Sequence, residues 1–195
     1  VQAGGSDTAT LDNVFELLVR AGRDAPMAKA LLIPESLGNN ATMPPAHRDL
    51  FLYCNAMMEP WDGPAAICAT DGRWVVAGLD RNGLRPLRYS ITSDGMLIVG
   101  SETGMVKLAE DQIIQKGRVG PGQCIGVDLD EGRFFEDKAL KDQISSRKPF
   151  GQWTERTTRI DEIVKAEADE RANLTGEDLR RRQLSVGYTL EELEL

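Results

Sequence analysis

Four groups of residues in this chain carry side chains of the kinds that chemistry uses. Gly4-Gly5-Ser6-Asp7 sets a hydroxyl and a carboxylate behind two glycines, where a helical pattern begins. Glycines there admit a ligand close to the backbone, because no side chain keeps it away. The plainer use of Ser6 and Asp7 is to cap that helix and favour its dipole. His47 and Cys54 stand seven residues apart on another helical pattern. Two turns separate them by about 10 Å, too far for the imidazole to activate the thiol. The expectation is a surface histidine near a helix start and a core cysteine. The third group is Asp80-Arg-Asn-Gly-Leu-Arg-Pro-Leu-Arg-Tyr89, and the fourth is Ser101-Glu102. Asn82-Gly83 is the dipeptide that best tolerates positive φ at both centres of a tight hairpin turn. Ser101-Glu102 at a strand end either faces a pocket or ties down a turn, and the structural role is favoured.

These groups need elements to hold them. Leu11, Val14, Phe15 and Leu18 repeat at three and four residues, which predicts a helix over Thr8 to Ala21 with one buried stripe, ended by Gly22. A second helix is expected over Pro26 to Leu32, stopped by Pro34, and Gly38-Asn39-Asn40 reads as loop. A third runs from Pro45 to Met58, with Leu50, Phe51, Cys54, Met57 and Met58 on its inner side and Pro60 at its end. Strands follow at Ala65 to Ala69, Arg73 to Leu79, Leu87 to Ile91, Met96 to Gly100, Gln123 to Leu129 and Arg133 to Glu136. Asp71-Gly72, Asp94-Gly95 and Glu131-Gly132 divide them as the turns of antiparallel hairpins, and Asn82-Gly83 joins two more strands. Pro86 lacks a backbone donor, so the strand it opens is irregular or at an edge there. Gly117 to Gly122 reads as a Gly/Pro-rich loop. Trp61 and Trp74 read as core residues. Trp153, next to Phe150, either anchors a connector onto a neighbouring domain or packs within the fold. Beyond Ile144 the chain turns polar. A helix over Arg156 to Ala172, with Ile160, Ile163 and Val164 as its stripe, and one over Gly176 to Gln183, started by Thr175, are expected. Thr189 to Leu195 reads as the start of another helix. Helices followed by hairpins make an α+β fold.

Composition excludes several function classes. The 195 residues are 41% apolar and carry a formal charge of −8. Lys and Arg form no evident stripe, which argues against a nucleic-acid partner. Arg180-Arg-Arg182 follows Glu177 and Asp178 and reads as a solvated helix face. Cys54, Cys68 and Cys124 are odd in number and widely spaced, with no Cys-x-x-Cys pair, so no zinc or iron–sulfur site forms locally. Free thiols point to a reducing, cytoplasmic setting. No apolar run of about 18 residues exists to span a membrane. The first residues lack the order of a signal peptide. A start at Val1, in mid-motif, reads as a fragment or a processed piece.

The match Asp80, Gly83, Leu84, Arg85, Pro86, Leu87, followed by a strand ending in Ser101-Glu102, resembles the late part of the glutaminase domain of class II glutamine amidotransferases. Ser6 to Asn13, Asn55 to Ala65, Gly117 to Gln123 and Leu179 to Tyr188 are similar to the large subunits of the glutamate synthase branch of that family. The resemblance implies a partial four-layer αββα sandwich of the N-terminal-nucleophile hydrolase type over residues 1–149, then a helical connector over 150–195.

In that family the first residue of the mature chain is a cysteine whose own amino group serves as base, and an acyl-thioester forms. An Asn-Gly pair supplies the oxyanion donors and an arginine holds the substrate carboxylate, both ahead of the segment matching Gly4. The resemblance therefore implies no catalytic residue in this chain, with Asn82-Gly83 a turn and not that pair. It implies Asp7, with Gly5 and Ser6, as the substrate-binding residues, Asp7 receiving the α-ammonium group of glutamine. It implies no cofactor or metal here. FMN, an iron–sulfur cluster and NADPH, the last through a small NADPH-oxidising partner subunit, belong to the rest of the parent enzyme, with an NADPH form preferred to a ferredoxin form. The chain alone is expected to be inactive, and its uncovered strand edges favour association. Two other readings remain: a non-catalytic structural module, and another class II amidotransferase such as an amidophosphoribosyltransferase or asparagine synthetase.

Overall fold

A computed structural model of the chain describes residues 4–37, 42–158, 160–164 and 174–188. Contacts divide the chain into two compact units, residues 1–157 and 158–195.

Three helices open the first unit. In α1 (Asp7–Arg20) the Ser6 hydroxyl accepts the Ala9 N–H at 3.2 Å, and Gly22 at φ +88° lets the chain turn away after the last residue. α2 (Ala25–Leu32) is capped by Asp24, which accepts the Met27 N–H. α3 (Pro45–Met57) starts on its proline, whose missing N–H costs nothing in a first turn. Leu50, Phe51 and Cys54 line its buried side as expected, but Met57 is 53% exposed.

Seven strands follow: β1 (Ala66–Thr70), β2 (Trp74–Leu79), β3 (Arg88–Thr92), β4 (Leu97–Gly100), β5 (Ile113–Arg118), β6 (Cys124–Asp128) and β7 (Arg133–Phe135). They form two antiparallel sheets, ordered β1-β2-β6-β7 and β4-β3-β5. The three Asp-Gly or Glu-Gly turns lie between paired strands, each glycine at positive φ. Asn82-Gly83 differs. β2 and β3 belong to different sheets, so this pair sits in a crossover and makes no hairpin. β5 takes up Gly117 and Arg118, which the sequence reads as loop. α4 (Asp137–Ser145) and α5 (Phe150–Thr154) complete the unit.

Strand alternation decides the layers. Trp74 and Val76 of β2, Cys124 of β6 and Phe135 of β7 pack on Ala30 and Leu31 of α2, Leu50 and Phe51 of α3, and Leu140 and Ile144 of α4. The intervening Ala77, Leu79 and Ile125 pack with Leu87, Tyr89 and Val119, joined by Ile91, Leu97 and Val99 of the second sheet. The described residues of the first unit therefore stack as helices, sheet, sheet, an α+β arrangement of three layers.

Among the buried polar groups, His47 and Lys29 sit deeper than their types suggest. His47 is 4% exposed, and its Nε2 pairs with Asp142 Oδ1 at 2.7 Å. It is a buried link between α3 and α4, not a surface residue, because α4 covers a helix face that the sequence reading left open. Lys29 is 3% exposed and donates to the Ile33 carbonyl at 3.0 Å. Its neighbour Lys141 holds Glu35 at 2.6 Å and Asp137 at 2.9 Å. Burial pushes the Lys29 pKa below the ordinary value of 10.5, outweighing the nearby carboxylates. That penalty applies in full below the folded pKa and vanishes as pH rises to 10.5, where the unfolded chain also loses the proton. Lys29→Met is expected to raise stability at pH 7 by about 1 kcal/mol, with a smaller gain at pH 10. Urea unfolding at the two pH values checks it; an equal or larger gain at pH 10 contradicts the burial argument.

Trp74 is buried against Phe135, ring centroids 5.4 Å apart, and Trp61 is half-buried with its indole N–H on the Gly63 carbonyl. Trp153 packs on Tyr53 at 5.4 Å and on Phe150 at 5.5 Å, so its contact is internal to the first unit. In the second unit α6 covers only Ile160–Ile163, and Ile160, Ile163 and Val164 are exposed. α7 (Gly176–Ser185) starts after Thr175 as expected, and Arg180, Arg181 and Arg182 lie on no buried face. The expected loop at Gly38-Asn39-Asn40, the helix beyond Val164 to Ala172 and the one from Thr189 lie outside the described residues.

Candidate functional site

Asp80 organises one end of the two sheets. It follows β2 directly and is 2% exposed. Its Oδ1 accepts the Ala65 N–H at 3.0 Å, and its Oδ2 accepts the N–H groups of Asn82 at 2.9 Å and Gly83 at 3.1 Å. Burial alone would raise its pKa, but these three donors outweigh it and hold the carboxyl below the ordinary value. Its own N–H donates to the Ala65 carbonyl at 3.0 Å.

Two crossovers lie side by side here. Residues 80–87 carry the chain from the first sheet to the second, and residues 119–123 carry it back. They are laced by Gly122 N–H on Asp80 O at 2.8 Å, Leu79 N–H on Gln123 O at 3.0 Å and Val119 N–H on Leu87 O at 2.9 Å. Gly83 sits at φ +62°, and a Cβ there would lie 2.7 Å from the Pro121 Cα, so both conformation and space call for glycine. The Arg85 Nε donates to the Pro64 carbonyl, and Arg81 pairs with Asp62 at 2.9 Å. The Asp80–Leu87 cassette is thus a buckle between sheets.

Its clamp reaches α1. Ala65, held by both main chain and side chain of Asp80, packs with Leu32, Ile33 and Leu11. Leu11 is one helical turn from Asp7. Gly5, Ser6 and Asp7 are all exposed, and Ser6 spends its hydroxyl on the α1 cap while Asp7 stands in the first turn. Ser6 is therefore positioned by a local bond, and Asp7 by the seating of the helix on the buckle.

The three thiols lie elsewhere. Cys54 is fully buried and its pKa is pushed up to about 12; Cys124 is buried and pushed up to about 11. Burial also raises Cys68, which borders a shallow cleft of about 190 Å³ with Leu11, Asp12 and Phe15. None is a thiolate at neutral pH. Glu102 lines an open cleft of about 420 Å³ on the outer face of the second sheet, with Arg88, Ile98, Lys107 and Lys116. Sequence reasoning did not foresee that Arg85, Arg88 and Arg118 share one cleft. The signal was Arg118 at the end of β5, a strand it did not recognise.

The family model for class-II glutamine amidotransferases matches residues 1–153. The chain is 53% identical over 197 residues to the glutamate synthase [NADPH] large chain of Azospirillum brasilense, covering 100% of this chain and 13% of that one. It is 40% identical to the corresponding large chain of Bacillus subtilis, covering 100% and 13%. Against the chloroplastic ferredoxin-dependent glutamate synthase of Oryza sativa subsp. japonica the identity is 39%, covering 97% and 12%. The chain spans 13% or less of the length of these relatives. With residues 1–153 matched as a unit and the buckle built from the residues that carry the likeness, the chain belongs to the class-II glutamine amidotransferases.

Proposed function

We propose that this sequence is the later part, residues 1–149, of the glutaminase domain of a glutamate synthase large chain, followed by the connector into its next domain. The carrying observation is that identity of 39–53% extends over 97–100% of the chain, past the amidotransferase match at residue 153. Likeness through the connector favours glutamate synthase over other class II amidotransferases. In this reading the polypeptide releases ammonia from glutamine and channels it to 2-oxoglutarate, which is reduced to glutamate in the cytoplasm. The higher identity to an NADPH form favours NADPH, delivered through a small partner subunit, over ferredoxin. FMN and an iron–sulfur cluster would be held by other segments; the cysteines here do not fit a cluster, with Cys54 and Cys124 in the core. The fourth layer of an αββα sandwich would likewise come from other residues.

The nucleophile is assigned to a cysteine outside this sequence, since all three thiols here are raised by burial. Asp7 is assigned to the substrate α-ammonium, a charge-assisted bond. Two measurements test this. The 195-residue chain alone is expected to release no glutamate from glutamine above background. In the parent polypeptide, Asp7→Asn is expected to raise KM for glutamine about tenfold with kcat little changed. Turnover by the isolated chain overturns the nucleophile assignment, and an unchanged KM overturns the role of Asp7.

A further inference from the structure

We propose that Arg85, Arg88 and Arg118 form a binding site for a small oxyanion, with phosphate or paired carboxylate oxygens held in the guanidinium forks. All three line one cleft of about 300 Å³ where the crossover loops meet the second sheet. Arg88 and Arg118 are direct cross-strand partners in the β3–β5 pair. Like charges facing each other there destabilise the pair unless a counter-charge bridges them. Among the described residues no carboxylate lies within ion-pair distance of any of the three. Arg73, Arg81 and Arg147, by contrast, each hold an aspartate. Arg85 gives its Nε to the Pro64 carbonyl, which leaves its terminal nitrogens, and the three guanidiniums meet in one cleft without a carboxylate although the chain carries a charge of −8.

The walls suit a small ligand. Leu84 and Pro86 flank the cleft with apolar surface, and Gly83 and Gly120 keep the loops thin beside it. The nearby amides are already used, Gly83 N–H by Asp80 and Gly120 N–H by Gln123. Recognition therefore falls to the arginines, whose planar forks bind two oxygens of one anion at a time. The site stands on this geometry alone and does not depend on the glutaminase reading.

Calorimetric titration of the chain at low salt, with inorganic phosphate, with citrate and with a short oligoglutamate peptide, tests it. One saturable site is expected for phosphate or citrate; which of the two binds more tightly separates a phosphate ligand from a carboxylate one. Arg118→Gln and Arg88→Gln are each expected to weaken binding about tenfold. Arg88→Lys, which keeps the charge and loses the fork, should fall between, and Arg23→Gln, a distant surface change, should leave affinity unchanged. These side chains are exposed, and thermal melts of the variants establish that they are folded. Heats that never saturate, an equal loss in Arg23→Gln, or saturation by the peptide alone would overturn the proposal.

Discussion

Asp80→Ala is expected to destabilise the first unit by about 3–4 kcal/mol, seen as a lower urea midpoint with an unchanged slope. The carboxylate is 2% exposed and takes three backbone N–H groups that no other acceptor is placed to receive. A buried donor stripped of its acceptor costs about 1–3 kcal/mol. The Ala65 N–H lies in the core and suffers most. Asn82 is exposed and Gly83 half-buried, so water recovers part of their loss, and the total stays below the sum of three full penalties. Asp80→Asn keeps the shape but replaces one accepting oxygen by a donor, and should lose about half as much. The same carboxylate ties stability to acid. Its folded pKa lies below the ordinary 3.8, so its contribution is complete above that value and disappears as pH falls through the folded pKa. Asp71, held by backbone N–H donors at a hairpin, and Asp128, held first by the Arg73 guanidinium and then by backbone N–H donors, likewise have lowered pKa values. Unfolding should therefore steepen below about pH 4, and less so in Asp80→Ala. A variant that melts like the parent chain would mean that the crossover needs no clamp.

Much of this fold was legible because its signals are local. The α1 stripe, the Gly22 stop, Thr175 and the three hairpin turns each depend on a few adjacent residues whose conformational preferences agree. Asn82-Gly83 was misread for the opposite reason. Gly83 has the positive φ and Asn82 does not, but whether the next strand pairs with the last is a long-range matter, decided by Pro121 and Gln123 some forty residues on. His47 was misplaced because the helix that covers it, α4, has a polar sequence whose only large apolar residues are Leu140 and Ile144. At the site, the residues that carry the family likeness were identified, whereas their mechanical role was not. A carboxylate in a loop is no sign of burial, and Asp80 becomes structural only once Ala65 is brought against it. The arginine cleft was hidden with β5.

β5 itself supports the second large prediction: Gly117→Ala is expected to cost about 3 kcal/mol. Residues 113–118, Ile-Ile-Gln-Lys-Gly-Arg, carry a glycine, which sequence preference treats as a strand breaker. In the structure Gly117 faces Tyr89 across the β3–β5 pair, and a Cβ at 117 would lie 2.1 Å from the Tyr89 Cζ. The phenol ring lies over the bare backbone of the glycine. Rotating it away is not cheap: Tyr89 is 8% exposed, its ring sits 5.4 Å from that of Phe134, and its hydroxyl is shared with Gln115 and Glu136. Alanine must therefore displace the ring from the core between the sheets or push β5 off its edge. A double-mutant cycle separates these. If the ring is the obstacle, Gly117→Ala becomes nearly neutral in a Tyr89→Leu background, with a coupling of about 3 kcal/mol. If the cost persists there, the glycine is needed for its backbone and the packing argument fails.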